Sequence, residues 1–151
     1  MRWVYIHTYV YIYLWSKSID PRAALLERLY ERFNARDIDG VLCALTPDVA
    51  WANGMDGGHV HGHEGLRAYW TAQWQVVDPH VAAVGFEHRP DGAVIARVIQ
   101  TIRDLDGNRL DGVQAHDLKD KTVGHLFRFE GDKVARFDIE EIPSTGLPDA
   151  V

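Results

Sequence analysis

The chain has 151 residues, of which 46% are hydrophobic and 25% charged, and its formal net charge is −6. This length fits one domain with a real hydrophobic core. An acidic chain without a cluster of Lys and Arg lacks the basic patch that nucleic acids and anionic membranes require, so we expect neither partner. The only cysteine, Cys43, excludes an intrachain disulfide and is compatible with a cytoplasmic location.

Residues 3–15 alternate aromatic with mainly β-branched side chains in strict period two, which predicts a strand. The run is shorter than the ~20 residues of a membrane-spanning helix. Its tyrosines are also unlike the Leu- and Ala-rich core of a signal peptide. We expect residues 1–19 to be an extension, either an added edge strand, a strand that pairs with a second subunit, or non-native upstream sequence. The domain then covers residues 20–143, and residues 144–151 form a tail.

Two helices are predicted next. Asp20 followed by Pro21 is typical of a helix start, with an acidic N-cap and proline in the first turn. Asp37 can cap a second, short helix, which we expect Pro47 to end. The apolar residues of the first helix follow at helical spacing: Leu26, Leu29, Tyr30 and Phe33.

A strand, a glycine-rich loop and a third helix are predicted between Asp48 and Trp74. Alternation places Val49, Trp51 and Asn53 on one strand face. The helical period then stacks three side chains on one helix face: Leu66, Trp70 and Trp74. An apolar cavity with a few convergent polar groups is the usual form of a small-molecule site. The aromatic side chains and the amide of Asn53 therefore predict either a tight core or such a pocket.

The rest of the chain is predicted to form strands, and Gly131-Asp132 is typical of a hairpin turn. Residues 108–121 hold either a short strand at Asn108–Leu110 or a flexible lid. Helices followed by antiparallel strands indicate an α+β fold with helices on one face of the sheet. The predicted strands are Val81–Arg89, Ala93–Arg103, Thr122–Glu130 and Lys133–Ile142.

The ordered segments LLERLYERFNARDIDGVLCALTPDVAW, HGHEGLRAYW and VGHLFRFEGDKVARFDIEE resemble the nuclear-transport-factor-2-like superfamily. This superfamily includes ketosteroid isomerases, SnoaL-like polyketide cyclases and limonene epoxide hydrolases. The resemblance runs from about Arg22 to Ile142. It implies a cone in which a curved antiparallel sheet wraps about three helices, with a pocket in the wide end, no cofactor and assembly as a homodimer.

The residues that match the isomerase positions argue against that activity. The catalytic base of that family falls on Asn53, and an amide cannot take a proton from carbon at neutral pH. The tyrosine donor on the first helix falls on Leu29, although the adjacent Tyr30 could point differently. The second donor, a protonated acid, falls on His125.

The other two activities match in part. Trp51-Ala52-Asn53 resembles the epoxide hydrolase motif that holds the attacking water, whereas the later Arg-x-Asp motif is Arg97-Val98-Ile99 and lacks the acid. The SnoaL-like resemblance implies an acid/base aspartate, often with a histidine, facing the cavity. His125 and Asp138 are the candidates at matching places.

The register of the Gly131-Asp132 hairpin decides whether these two side chains meet. A two-residue turn without a bulge places His125 opposite Asp138 as an acid–histidine pair. Burying Phe137 and Ile139 beside His125 instead requires a bulge or a longer turn, which leaves Asp138 outside. Because burial of such side chains stabilises by about 1.5–3 kcal/mol each, we favour the bulged register.

Three loop histidines, His59, His61 and His63, alternate in a way that could bind zinc. Gly62 and the nearby helix start break the required geometry, so we predict no metal site. Asp56 in the same loop is interpreted as a turn former.

The sequence therefore predicts a domain that binds a small, mostly apolar molecule in its cone pocket. Two alternatives stay open: a cofactor-independent acid/base enzyme of the epoxide hydrolase or polyketide cyclase type, and a non-catalytic dimerisation module. If catalysis occurs, the candidates are His125, Asn53 and Asp138. The predicted ligand-binding residues are Tyr30, Phe33, Trp51, Met55, Trp70, Trp74, Phe127 and Phe137.

Overall fold

A computed structural model of the chain describes residues 20–110 and 119–142. The predictions for residues 1–19, 111–118 and 144–151 lie outside the described residues. In the described part no helix is long and apolar enough to cross a membrane. That part forms three helices and six strands: α1 (Pro21–Asn34), α2 (Ile38–Leu42), β1 (Leu45–Ala52), β2 (His59–His61), α3 (Gly62–Gln73), β3 (Asp78–His88), β4 (Val94–Arg103), β5 (Lys121–Glu130) and β6 (Lys133–Glu141).

The six strands form one curved, open sheet in the order β2-β1-β6-β5-β4-β3. This confirms the predicted α+β cone, with one correction. The sheet is mixed, because β1 runs parallel to β6 while every other neighbouring pair is antiparallel. The chain enters β1 beside the start of β6, where the amide of Val134 donates to the carbonyl of Ala44 at 2.9 Å. Both strands therefore leave this point in the same direction.

Both predicted helix starts are present. The Asp20 carboxylate accepts a hydrogen bond from the amide of Ala23, and the Asp37 carboxylate accepts one from the amide of Gly40. Helix α2, however, ends at Leu42, and Pro47 lies inside β1. The pairing of β1 with β6 is irregular between Leu45 and Ala50. Proline is tolerated there because its missing N–H leaves no ladder bond unfilled.

The β5–β6 hairpin has the bulged register that burial of the apolar side chains favours. The ladder shifts between Arg128 and Phe129, and beyond the shift Phe127 pairs with Phe137 and His125 with Ile139. Asp138 instead lies opposite Leu126, on the other face of the sheet. A bulge of this kind inserts one residue into one strand and restores the alternation of the buried face.

The core lies between the helices and one face of the sheet. Helix α1 contributes Leu26, Leu29 and Tyr30, and helix α3 contributes Leu66 and Trp70, all buried. Both sets recur at three- and four-residue spacing, so each helix presents one apolar face to the sheet. The same cluster takes the inward side chains of the strands, which are Val49, Trp51, Val81, Val94, Ala96, Val98, Val123, Phe127, Val134 and Phe137.

Candidate functional site

A small cavity remains inside the cone between helices α1 and α3 and the inner face of the sheet. Its volume is about 60 Å³, which is room for a few water molecules. The hollow chamber expected from the sequence is thus almost filled by its own walls. The lining residues are Leu29, Tyr30, Phe33, Trp51, Ala52, Gly54, Tyr69, Trp70, Gln73, Pro79, Val81, Gln100, His125, Phe127, Phe137 and Ile139.

A hydrogen-bonded pair, Tyr30 and His125, forms a buried polar part of this cavity. The Tyr30 hydroxyl lies 2.8 Å from Nδ1 of His125. Burial lowers the pKa of His125 to about 3, with a further contribution from the ammonium of Lys121. Burial also raises the pKa of Tyr30 well above its ordinary value. Both groups are therefore neutral near pH 7.

The neutral pair has one polar hydrogen to spare. A neutral imidazole has one N–H donor and one acceptor nitrogen, and a phenol can donate once. If Tyr30 donates to Nδ1, the Nε2–H of His125 is left to donate. If Nδ1–H donates to Tyr30, the phenolic hydrogen is left instead. Either arrangement provides a hydrogen-bond donor at the wall of the cavity.

A second polar group of the cavity, the hydroxyl of Tyr69, is held by two donors. It accepts hydrogen bonds from the amide of Gly54 at 2.9 Å and from Nε2 of Gln73 at 3.1 Å. Burial raises the pKa of Tyr69, while hydrogen bonds that include the one from Gly54 act against this shift. The hydroxyl thus stays protonated and joins helix α3 to the loop that follows β1.

Aromatic rings make up most of the remaining wall. Trp51 stacks on Phe137 with ring centroids 4.2 Å apart and meets Trp70 edge to face at 5.3 Å. Phe33 contacts Trp70 edge to face, and Phe127 packs against Phe137. Contacts of these geometries add to the stability that burial gives. An apolar, aromatic lining inside the cone is the result.

Three residues predicted at the site lie away from this cavity. Asn53 is in the loop after β1, where its side-chain oxygen accepts hydrogen bonds from the amides of Met55 and Asp56, both at 2.8 Å. Met55 packs against a small separate cluster of Val77 and Ile102. Trp74 follows helix α3 and stacks on Trp70 without lining the cavity.

Asp138 lies on the opposite face of the sheet from His125. Its carboxylate accepts a hydrogen bond from Nε of Arg136 at 2.8 Å and lies 2.7 Å from Nε2 of His59. Burial acts to raise the pKa of Asp138, but the hydrogen bonds from Arg136 and His59 outweigh it and the pKa is lowered. The structure therefore pairs Asp138 with His59 and does not bring it to His125.

The three loop histidines have different surroundings. His59 contacts Asp138, Nε2 of His63 lies 3.1 Å from the carbonyl of Leu45, and His61 is exposed at the start of helix α3. Within residues 20–110 and 119–142, no three His, Cys, Asp or Glu side chains are grouped closely enough to hold a metal ion.

A larger groove adjoins the cavity, and we name it the mouth groove. This mouth groove has a volume of about 270 Å³. Ala52, Gly54, Gln100 and Ile139 line both the cavity and the mouth groove, so the two spaces adjoin. The other residues of the mouth groove are Asn53, Gly58, His59, Lys121, Asp138 and Glu141.

Several lining residues were not predicted from the sequence, chiefly Tyr69, Gln73 and Gln100. Tyr69 and Gln73 lie beside Trp70 in the helical pattern, and a count of the helix period could have assigned them to its inner face. Gln100 lies in the alternating pattern of β4 on the same face as Val98 and Ile102, so the strand period indicates its orientation.

The fold is similar to several solved structures. A protein of unknown function from Burkholderia pseudomallei, described as NTF2-like, is 22% identical; the match has a TM-score of 0.64 and covers 82% of this chain and 92% of that one. A protein from Sinorhizobium meliloti, provisionally described as a polyketide cyclase, is 14% identical with a TM-score of 0.62, over 78% of this chain and 94% of that one.

A cystatin-fold protein of uncharacterised function from Novosphingobium aromaticivorans is 26% identical with a TM-score of 0.58, over 77% of this chain and 94% of that one. No curated protein gives a significant sequence match. The mixed sheet around three helices and its structural relatives define an NTF2-like cone-fold protein. The family model of the SnoaL-like domain matches residues 26–137, and the chain belongs to that family.

Proposed function

We propose that this SnoaL-like protein binds a small, mostly apolar molecule whose flat body enters the aromatic cavity. The observation that carries the proposal is the Tyr30–His125 pair, which places a neutral hydrogen-bond donor against an aromatic wall. A buried donor stabilises a complex when a ligand supplies its acceptor, and it costs free energy when left unmet. A carbonyl or hydroxyl oxygen on an otherwise apolar ligand meets this requirement.

The size of the cavity sets a condition on binding. A cavity of 150 Å³ accepts benzene, and ligand sites commonly measure about 300–1,000 Å³. The cavity of about 60 Å³ and the mouth groove of about 270 Å³ together reach the lower end of that range. A ligand would thus occupy both spaces. Side chains near the mouth, such as Ile139, which is 38% exposed, would move to admit it.

Binding is a better fit to this geometry than acid/base catalysis by His125. A general base works best when its pKa lies near the working pH, and a pKa of about 3 makes the imidazole a weak base at neutral pH. The ionised carboxylate of Asp138 lies on the other face of the sheet. The enzyme and dimerisation alternatives, like the homodimer and the cytoplasmic location, stay predictions.

Ligand binding can be tested with the neutral probes 2-naphthol and 2-naphthamide, monitored by quenching of tryptophan fluorescence. Ile139→Trp should close the mouth and weaken binding by about tenfold or more, since a bulkier side chain would clash with any ligand there. Ile99→Trp is the matched control, because Ile99 is 45% exposed on the outer face of β4. No binding to the parent protein, or equal binding to both variants, would overturn the proposal.

A further inference from the structure

The cavity interior holds neutral side chains only, whereas its mouth is charged. Among the lining residues that the structure describes, the polar ones are tyrosine, glutamine and the neutral His125. The charged side chains begin at the mouth groove, with Lys121, Asp138 and Glu141. A ligand that spans both spaces would therefore have an uncharged body and an end that lies among charges.

Lys121 is a cation of the mouth groove, and it faces the inner side of the sheet. It lies two residues before Val123 and four before His125 on β5, so its side chain leaves the same face as theirs. In the ladder it pairs with Gln100, which lines both spaces. Lys121 is half-buried, and its charge reaches far enough to lower the pKa of His125.

The other charges of the mouth groove are less available to a ligand. Asp138 is already held by Arg136 and His59. Glu141 shares the inner face of β6 with Phe137 and Ile139 and pairs with Val123, but it is exposed. Water screens an exposed charge more strongly than a half-buried one. A half-buried ammonium therefore attracts an anion more strongly than an exposed carboxylate repels it.

We propose that Lys121 selects ligands that carry a negative group, such as a carboxylate, at the end of an apolar ring system. This inference rests on the proposed function, and it adds a chemical class: an aromatic or otherwise apolar acid. The ring lies against Trp51, Trp70 and Phe137, and the carboxylate reaches the ammonium of Lys121 at the mouth. Gln100 lies beside Lys121, although its side-chain amide already donates to the carbonyl of Lys119 at 2.8 Å.

The matched probes 2-naphthoate and 2-naphthamide separate charge from shape, because they share one ring system and differ in the charge of one group. The parent protein should bind naphthoate about fivefold or more tightly than naphthamide at pH 7. Lys121→Met keeps most of the side-chain length and should bring the ratio of naphthoate to naphthamide affinity close to one. Glu141→Gln should leave the ratio of naphthoate to naphthamide affinity at the value of the parent protein or raise it.

Lys133→Met is the control for a general loss of positive charge. Lys133 is exposed at the start of β6, the end of the strand away from the mouth, where its Nζ donates to the carbonyl of Cys43. Lys133→Met should leave the ratio of naphthoate to naphthamide affinity unchanged. The role of Lys121 is overturned if the parent protein binds both probes equally, or if Lys121→Met has the same ratio of naphthoate to naphthamide affinity as the parent protein. Either result leaves the proposed function standing. If neither probe binds, the proposed function itself is overturned.

Discussion

The hydroxyl of Tyr30 lies 2.8 Å from Nδ1 of His125, and the two residues are separated by 95 positions in the sequence. This contact joins helix α1 to the inner face of β5. Each side chain satisfies a polar atom of the other in a place that water reaches poorly, since both are about 6% exposed. The pair therefore serves the stability of the fold as well as the chemistry of the cavity.

Tyr30→Phe should lower the free energy of unfolding by about 1–3 kcal/mol, because it leaves the buried Nδ1 of His125 without its partner. The ring and its packing against Phe127 are kept, so the loss reports the hydrogen bond. Urea denaturation at pH 7 measures it. The double variant Tyr30→Phe with His125→Phe removes both polar groups and should lose less than the sum of the two single variants. Additive losses would contradict the assigned contact.

The stability of the protein should fall as the pH drops from about 6.5 towards 3. The pKa of His125 is lowered to about 3 in the folded state, whereas an unfolded histidine has a pKa near 6.5. Between these values the unfolded chain binds a proton that the folded chain rejects. Stability therefore rises with pH in this window, by up to about 1.4 kcal/mol per pH unit for this one group, and is fully present above it.

His125→Gln tests this pH dependence, because glutamine can still hydrogen bond but does not titrate. The comparison is the difference between the unfolding free energies at pH 7 and pH 5, measured by urea denaturation for both proteins. The parent protein should lose more stability on acidification than the variant. Since the other histidines are the same in both proteins, an equal loss in both would show that His125 does not have the lowered pKa.

The fold could be predicted in large part because its signals are local. The caps at Asp20 and Asp37 and the hairpin at Gly131-Asp132 each lie within a few residues of the structure that they specify. The bulged register also followed from sequence, since it turns Phe137 and Ile139 to the inner face beside His125. Only Phe137 is buried there, however, because Ile139 remains 38% exposed. The parallel pairing of β1 with β6 was missed because it joins strands more than 80 residues apart.

The site could be predicted only in part, because its details depend on distant contacts. Helical spacing shows that Leu29 and Tyr30 face inward together, but not that the Tyr30 hydroxyl meets His125. A pattern of aromatic residues likewise does not give the volume that their packing leaves. Nor does it show that Asp138 meets His59, which the strand order brings together across β1.

The Tyr69 hydroxyl should control the loop that follows β1. Tyr69→Phe removes the acceptor of the Gly54 amide and of the Gln73 side chain, so we expect a loss of about 1–2 kcal/mol in unfolding free energy. Hydrogen exchange at the Gly54 amide should become faster. The Asp56 amide is an internal control, because it donates to the side chain of Asn53. Equal acceleration at both amides would indicate a general loosening of the loop instead.

Asp138→Asn tests whether the carboxylate on the outer face of β6 takes part in binding. Its ion pair with Arg136 is partly exposed, so the free energy of unfolding should fall by less than about 1 kcal/mol. The affinity for 2-naphthamide should change less than in His125→Gln, since Asp138 lines only the mouth groove, whereas His125 lines the cavity. His125→Gln should weaken the same affinity, because it alters the donor in the cavity.

Tryptophan fluorescence titrations of these two variants, made beside the parent protein, provide the comparison. Arg128→Gln is a further control for loss of an outer ion pair, because Arg128 is paired with Asp91 and lies away from the mouth. A drop in naphthamide affinity for Asp138→Asn as large as that for His125→Gln would mean that the carboxylate acts on the bound molecule. Because Asp138 lines the mouth groove and not the cavity, we expect the larger drop in the His125 variant.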